Sequence, residues 1–256
     1  MPDEHFLIEL DPRWQEEQRL RRAARFRMGE MTFFYSAGAM GLRGEGYWWH
    51  KLVGFRPPPF PAVTKTLTLN RKVGLPFAIL PIGHSVYNRV SLHNPGYYEW
   101  LLLWRPDLVV SLHGTDDEIA EMVRGLNRMD CAGIELNFSC PNVRSPGNKR
   151  IPESRHPLYL KLSHADDPHR YDLSRVREIR LNSVPVRFGG VSGKGAQKAN
   201  WAFIERHRDL PVAGCSWTTR DDILRLHEYY GCTSFGIGAV MLVNRRLVTE
   251  IGEGLG

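Results

Sequence analysis

The octapeptide Glu135-Leu136-Asn137-Phe138-Ser139-Cys140-Pro141-Asn142 concentrates the groups of this chain that could do chemistry. Two carboxamides, Asn137 and Asn142, bracket a thiol, Cys140. A carboxamide offers directional donors and an acceptor in one plane, which suits a flat polar ligand. A thiol so placed can give up or take a proton. Pro141 restricts Cys140 to extended geometry, so the thiol ends a strand or begins a loop. The competing reading is a buried thiol between turn asparagines, because free cysteine packs well in cores. Two lysines pose a similar choice. Lys65 lies between Thr64 and Thr66, and Lys161 interrupts Tyr159-Leu160-Lys161-Leu162. A lysine in an apolar strand either faces solvent or needs an anion, since an isolated buried charge is costly. An anionic ring or a phosphate would serve. Asn182 sits at another strand end, and Asn88 is either a ligand donor or a turn residue. Asn94-Pro95-Gly96 is a turn signal. His84, His93, His113 and His156 lack metal-ligand spacing and read as surface or capping residues.

These groups need a scaffold, and the chain alternates in a way that supplies one. Strand-like runs are Thr32–Tyr35, Ala62–Thr68, Leu108–Leu112, Gly133–Asn137, Leu158–Leu162, Glu178–Asn182, Pro211–Gly214 and Ser234–Gly238. Helical patterns separate several of them. Thr115 is a candidate N-cap for a helix over 116–129, with Ile119, Met122, Val123 and Leu126 as its apolar stripe. Asn200–His207 and Thr219–Tyr230 are further helical segments. Eight short apolar strands with intervening helices predict an α/β fold of the (β/α)8 barrel type; a doubly wound open sheet is the alternative. Barrel chemistry gathers at the C-terminal ends of the strands, where Lys65, Asn137, Lys161 and Asn182 would converge. Glycines at 38 and 41, at 189–193 and at 236–238 read as loops whose backbone N–H groups could approach a phosphate.

The 256 residues suffice for one large domain, with residues 1–30 as a basic lead-in, partly helical over Arg13–Arg27, and 31–256 as the barrel. The formal charge of +6 is dispersed and lacks an aromatic-basic recognition motif, so nucleic acid is not expected as a partner. A small anionic substrate and a phosphorylated cofactor account for it equally well. No apolar run is long enough to span a bilayer, and the four widely spaced cysteines fit a reducing compartment, hence a cytoplasmic location.

At this point the motifs match a family. In order along most of the chain, Val63–Leu69, Asn88–Gly96, Glu135–Asn142, Asn182-Ser183 and Gly189–Gly193 resemble the dihydroorotate dehydrogenases, which are flavoprotein (β/α)8 barrels of pyrimidine biosynthesis. The resemblance implies FMN at the barrel mouth and dihydroorotate stacked on it. It implies Cys140 as the base, with Lys65, Asn88, Asn137, Asn142, Asn182 and Ser183 holding the substrate. Ala37, Gly38, Lys65, Asn137 and Lys161 would bind the cofactor, Lys161 by stabilising negative charge on the reduced ring. Gly190, Gly193, Gly214, Gly238 and Ala239 would complete that site. No metal is implied. A cysteine base is similar to the soluble class 1 enzymes, so the electron acceptor would be fumarate, or NAD through a partner subunit. Quinone would bring membrane association. A homo-oligomer is compatible.

The chain departs from the family pattern in three places. Cys215-Ser216-Trp217 follows Gly214 where two adjacent glycines are usual, which predicts an indole obstructing the phosphate. The Gly-Asn-Pro with a following arginine is replaced by Gly74-Leu75-Pro76, and Ser91 stands for a loop glycine. The connections after Asn142 and Asn182-Ser183 are short, and a barrel missing a helix there would leave apolar strand faces bare. The alternatives are therefore a non-catalytic barrel that binds a partner, or a flavin oxidoreductase acting on another pyrimidine.

Overall fold

The computed structural model describes residues 31–52, 54–74, 79–89, 92–140, 149–187 and 189–254. The lead-in, Leu75-Pro76, Ser91 and Asn142 lie outside them. The chain runs β1 (Thr32–Tyr35), α1 (Trp48–Leu52), β2 (Ala62–Val63), β3 (Ile79–Ile82), β4 (Ser85–Asn88), α2 (Tyr97–Trp100) and β5 (Leu108–Leu112). It continues through α3 (Asp116–Leu126), β6 (Gly133–Asn137), β7 (Leu158–Leu162), β8 (Val176–Leu181), β9 (Val184–Val186) and β10 (Gly189–Gly193). The last elements are α4 (Lys194–Arg206), α5 (Arg220–Glu228), β11 (Ser234–Ile237), α6 (Val240–Val243) and α7 (Arg245–Gly254).

Seven parallel strands form one sheet in the order β11-β1-β2-β5-β6-β7-β8. The segment 211–214 closes it. Val212 bridges Ile179 of β8, and Gly214 bridges Phe235 of β11. The result is a (β/α)8-type barrel, with every predicted strand in its ring. The second strand is regular only over Ala62–Val63, yet its backbone continues alongside β5: Thr64 N–H donates to Val109 and Leu67 N–H to Ser111.

Side chains alternate along each strand between the barrel interior and the outer core. On β6, Ile134 and Leu136 belong to the main apolar cluster, whereas Glu135 and Asn137 bond inward. Tyr35, Leu112, Leu160, Leu162 and Ile237 also join the outer core, and Phe34, Val63, Val109 and Ala213 form a separate small interior cluster.

Local chemistry explains the helices. Thr115 caps α3 in a complete capping box with Glu118, and Ile119, Met122, Val123 and Leu126 bury its apolar stripe. The helix ends at Leu126, three residues before Met129. Thr219 and Asp222 form a second capping box on α5, so Thr219 lies outside that helix. α4 begins at Lys194, six residues before Asn200, because Gly193 at φ 69 turns the chain directly out of β10.

Two expectations fail. The glycine stretch 189–193 is not a loop: it is β10, paired antiparallel with β4 and β9 in a four-stranded sheet ordered β3-β4-β10-β9. The apolar strand faces are not bare either. Ile134, Leu136, Leu160 and Leu162 are each 0% exposed, and Ile151, Tyr171 and Leu173 pack on their cluster. No helix among the described residues is long and apolar enough to cross a membrane.

Candidate active site

Adjacent strands set the interior polar residues in register: Ser111 opposite Glu135, and Asn137 opposite Lys161, which is opposite Arg180. A continuous hydrogen-bonded chain results. Asn182 Nδ2 donates to Asn137 Oδ1 at 3.0 Å, and Asn137 Nδ2 donates to Thr66 Oγ1 at 3.1 Å. Ser111 Oγ donates to the Glu135 carboxylate at 2.9 Å, so the Thr66 hydroxyl must be the donor in its 2.9 Å bond to Ser111. The carboxamides of Asn137 and Asn182 therefore orient each other.

Glu135 is 1% exposed and accepts from two cations, Lys161 Nζ at 3.4 Å and Arg180 Nη1 at 3.3 Å. Burial alone would raise its carboxyl pKa; Lys161, Arg180 and the hydrogen bonds from Ser111 and Arg180 overcome this and hold it below the ordinary range. Arg180 also donates from Nε to Glu178 at 2.8 Å. Its guanidinium is sandwiched between the rings of Phe34 and Tyr159, at 3.9 and 3.8 Å. The anion that the sequence left unnamed for Lys161 is thus found within the protein.

Above this floor the strand ends converge. Asn182 Nδ2 also donates to the Ser139 carbonyl at 2.8 Å, tying the turn that carries buried Cys140 to the end of β8. Asn88 arrives from the small sheet and donates to Ser183 Oγ at 3.2 Å across 95 residues. Lys65 is half-buried, and burial pulls its ammonium pKa down to about 8. Gly38, at φ 81, comes within 3.7 Å of Lys65 Cγ when a Cβ is added to it. A Cβ added at Gly238 meets only Ser36, at 3.7 Å, so the backbone there is open to a ligand. Ala37 and Tyr159 each pack on the interior cluster.

Several members of this region carry no signal in residue spacing. His113 is 6% exposed, not a surface residue, and its Nδ1 donates to the Asn137 carbonyl at 2.7 Å. Burial lowers its pKa, leaving the ring neutral. Lys149 is 7% exposed, with Nζ 5.1 Å from the Phe138 ring centroid and no hydrogen-bond partner among the described residues. Burial pulls its pKa to about 8, against the opposing charges of Asp116, Cys140 and Glu118. Asn200 of α4 donates to the Asn182 carbonyl and to Ser216 Oγ, while its buried Oδ1 has no partner among the described residues.

No family model matches the chain. The catalytic subunit of dihydroorotate dehydrogenase B (NAD(+)) from Caldicellulosiruptor saccharolyticus is 24% identical over 273 aligned positions, covering 85% of this chain and 87% of the relative. Dihydroorotate dehydrogenase A (fumarate) from Lacticaseibacillus paracasei is 34% identical over 99 positions, 33% of each. The crystal structure of a ligand-free dihydroorotate dehydrogenase from Eimeria tenella superposes with a TM-score of 0.64 at 15% identity, covering 96% of this chain and 94% of that one. The chain is thus similar in sequence to dihydroorotate dehydrogenases and shares the fold of one of them.

Against the dihydroorotate dehydrogenase pattern, its glycines divide into two groups. Gly38 and Gly238 leave open backbone at the mouth, as a bound cofactor requires. Gly193, Gly214 and Gly189 are explained by packing instead. A Cβ on Gly193 would stand 2.5 Å from the His84 carbonyl and 3.3 Å from Ala239 Cβ, and one on Gly189 would stand 2.2 Å from the Asn88 carbonyl. At Gly214 the added atom would strike the Phe235 ring at 2.7 Å. Gly190 pairs opposite Asn88 inside β10.

The expected obstruction by Trp217 does not occur. Its indole is 2% exposed in the outer core, edge-on to Phe33 at 6.2 Å, away from the barrel interior. Ser216, at φ 59, adopts the left-handed backbone a glycine would take, and the bond from Asn200 anchors it. Cys215 packs against the outer core, and burial pushes its thiol up to about 12. A neutral thiol and a hydroxyl thus stand where the family has two glycines. With Lys65, the open turns at Gly38 and Gly238 and the buried Asn200 Oδ1, which has no partner among the described residues, the mouth retains groups suited to a flavin nucleotide.

Proposed function

We propose that this chain is an FMN-dependent oxidoreductase acting on a CH–CH bond, oxidising dihydroorotate to orotate in pyrimidine biosynthesis. The observation that carries this reading is the convergence of Asn137, Asn182, Asn88 and Ser183 on one barrel mouth, with the Cys140 turn hydrogen-bonded into the same group. These amides come from β4, β6 and the end of β8, and a flat ring bearing carbonyl and N–H edges is the ligand such a set fits.

Each residue then has a task. The carboxamides of Asn137 and Asn182 hold the ring edges; Asn88 and Ser183 close the other side, and Asn142 would add a further amide. Cys140, as thiolate, takes the proton from the carbon next to the one that loses hydride. The bound flavin would supply the acceptor for that hydride. Lys65, with the open turns at Gly38 and Gly238 and with Ala37 and Ala239, would hold the cofactor. Lys161 would supply positive charge towards the cofactor, moderated by Glu135. Gly190, Gly193 and Gly214 act by letting strands and rings pack closely around the mouth. The acceptor that reoxidises the flavin is fumarate, NAD through a partner subunit, or quinone.

The test is anaerobic mixing of FMN-reconstituted protein with dihydroorotate while the flavin band is followed. Bleaching by dihydroorotate and not by dihydrouracil supports the proposal. Bound flavin that neither compound bleaches would refute it.

A further inference from the structure

Side chains of α4 grip the stretch of backbone that follows the closing segment of the barrel. Gln197, Asn200 and Trp201 have the i, i+3, i+4 spacing of one helix face. Gln197 Nε2 donates to Asp222 at 2.8 Å, and Asp222 accepts from the Thr218 and Thr219 N–H groups at 2.9 and 3.1 Å. Trp201 Nε1 donates to the Cys215 carbonyl at 2.9 Å. Asn200 Nδ2 donates to Ser216 Oγ at 2.9 Å and to the Asn182 carbonyl at 3.3 Å. A carbonyl only accepts, so the bond to Asn182 fixes which end of the amide is the donor. Asn200 is 2% exposed, and its Oδ1 has no partner among the described residues. A buried, unpaired acceptor costs free energy, and an apolar side chain of similar size would avoid that cost. Packing alone therefore does not account for an amide at this position.

Ser216 is where the amide acts. Its φ of 59° lies in the left-handed region, which glycine enters freely and a residue with a Cβ does not. We propose that Asn200 is a positioning residue: it holds Ser216 in the backbone of a glycine, and so keeps the Cys215–Ser216 turn in the shape that FMN binding at the mouth requires. The proposal rests on the reading of the mouth as an FMN site. Asn200 acts through Ser216 and needs no contact with the cofactor itself.

The link from this turn to the site is short. The Asn182 carbonyl accepts from Asn200, while Asn182 Nδ2 donates to Asn137 Oδ1 and to the Ser139 carbonyl. One buried amide thus joins the Ser216 turn to the residue that orients the site carboxamides. Without that anchor, Ser216 is free to relax to the extended or right-handed backbone that a serine prefers, with a bias of about tenfold. Apparent affinity falls by the fraction of protein that leaves the competent conformation, so FMN should bind about tenfold more weakly.

The test is a titration of the flavin-free full chain with FMN, followed by quenching of flavin fluorescence. It is made on Asn200→Leu and Asn200→Ala, each with and without Ser216→Gly. Either Asn200 substitution should raise the Kd for FMN about tenfold beside Ser216 and less than about twofold beside Ser216→Gly, because glycine takes the left-handed turn unaided. Urea midpoints of the same proteins without FMN identify any variant that does not fold and give the coupling between the two positions independently of ligand. A folded Asn200 variant that binds FMN as the parent does overturns the proposal. So does a loss of affinity that persists undiminished beside Ser216→Gly, which is what a packing role would produce. A parent chain that binds no FMN refutes the cofactor reading instead, and the urea cycle then decides the anchor: stability losses that add overturn it, and losses that couple support it.

Discussion

Glu135→Gln tests the electrostatic floor of the barrel. The substitution keeps the shape of the side chain and its capacity to accept from Ser111, and it removes only the charge. Two buried cations then lose their shared counter-ion. Arg180 retains Glu178 at 2.8 Å and its two aromatic faces, so its loss is partial. Lys161, 8% exposed and 3.4 Å from Glu135, loses the carboxylate it is paired with. Breaking a buried pair from one side costs about 3–5 kcal/mol, and the surviving Arg180–Glu178 contact argues for the lower end, about 3 kcal/mol. Adding Lys161→Met removes the orphaned charge, so the double variant should recover about 2 kcal/mol of that loss. Urea denaturation at neutral pH, followed by tryptophan fluorescence, measures all four corners of the cycle. The pH sense is fixed by the depressed carboxyl of Glu135: its stabilisation is complete above the unfolded carboxyl value and is lost as pH falls through the lower folded one. Glu135→Gln should therefore flatten the acid limb of the stability curve. Single and double variants that add to within about 0.5 kcal/mol would show that the three charges do not act as a unit.

Cys140→Ala should leave flavin affinity unchanged and slow flavin reduction by dihydroorotate about 10²–10⁴-fold, read by stopped-flow bleaching; unchanged reduction removes the thiol from the mechanism. Lys149→Met should stabilise the fold at pH 7 by on the order of 1–2 kcal/mol, because the buried ammonium is charged in both folded and unfolded chains below about 8. That gain should shrink as pH rises from about 8 towards the unfolded lysine value of about 10.4, where the parent gives up its proton first; a pH-independent difference in melting temperature would contradict it. Asn94→Ala should cost about 2–3 kcal/mol with no change in flavin affinity. The buried Asn94 amide donates to the Leu92 carbonyl at 2.6 Å and accepts from Gly96 N–H at 2.9 Å, which makes it a lock on a turn.

The barrel was legible because each strand is a short apolar run bounded by polar residues, and because the site amides fall at the ends of those runs. The small sheet was not. Pro81 lies inside Ile79–Ile82, all four of whose side chains are exposed, so neither burial nor alternation marks β3. Gly189–Gly193 carried a loop signal because its glycines answer to the backbones of Asn88 and His84 and not to a turn. Within the site, Asn137 and Asn182 announced themselves as amides at strand ends. Glu135 was hidden in an apolar run; strand parity, which sets it inward with Lys161 and Arg180, is the signal that could have revealed it. Nothing in the spacing of Lys149 marks it as a buried residue. Trp217 misled because its place in the sequence adjoins the mouth, while the left-handed turn at Ser216 sends its side chain outward.

The ring of strands is joined at 211–214 by a thin seam. Ile179 and Pro211 share one backbone bond there, Ala213 and Ile179 a second, and Gly214 makes two more with Ser234 and Gly236. The other joints of the ring are, for the most part, longer ladders. A closed cylinder breathes more readily where its stitching is short, so amide hydrogens along 211–214 should exchange ahead of those in β5 and β6. Cys215 and Ser216 hang directly from that seam. Loosening it would widen the entrance beside the end of β8, where Asn200 ties Ser216 to the Asn182 carbonyl.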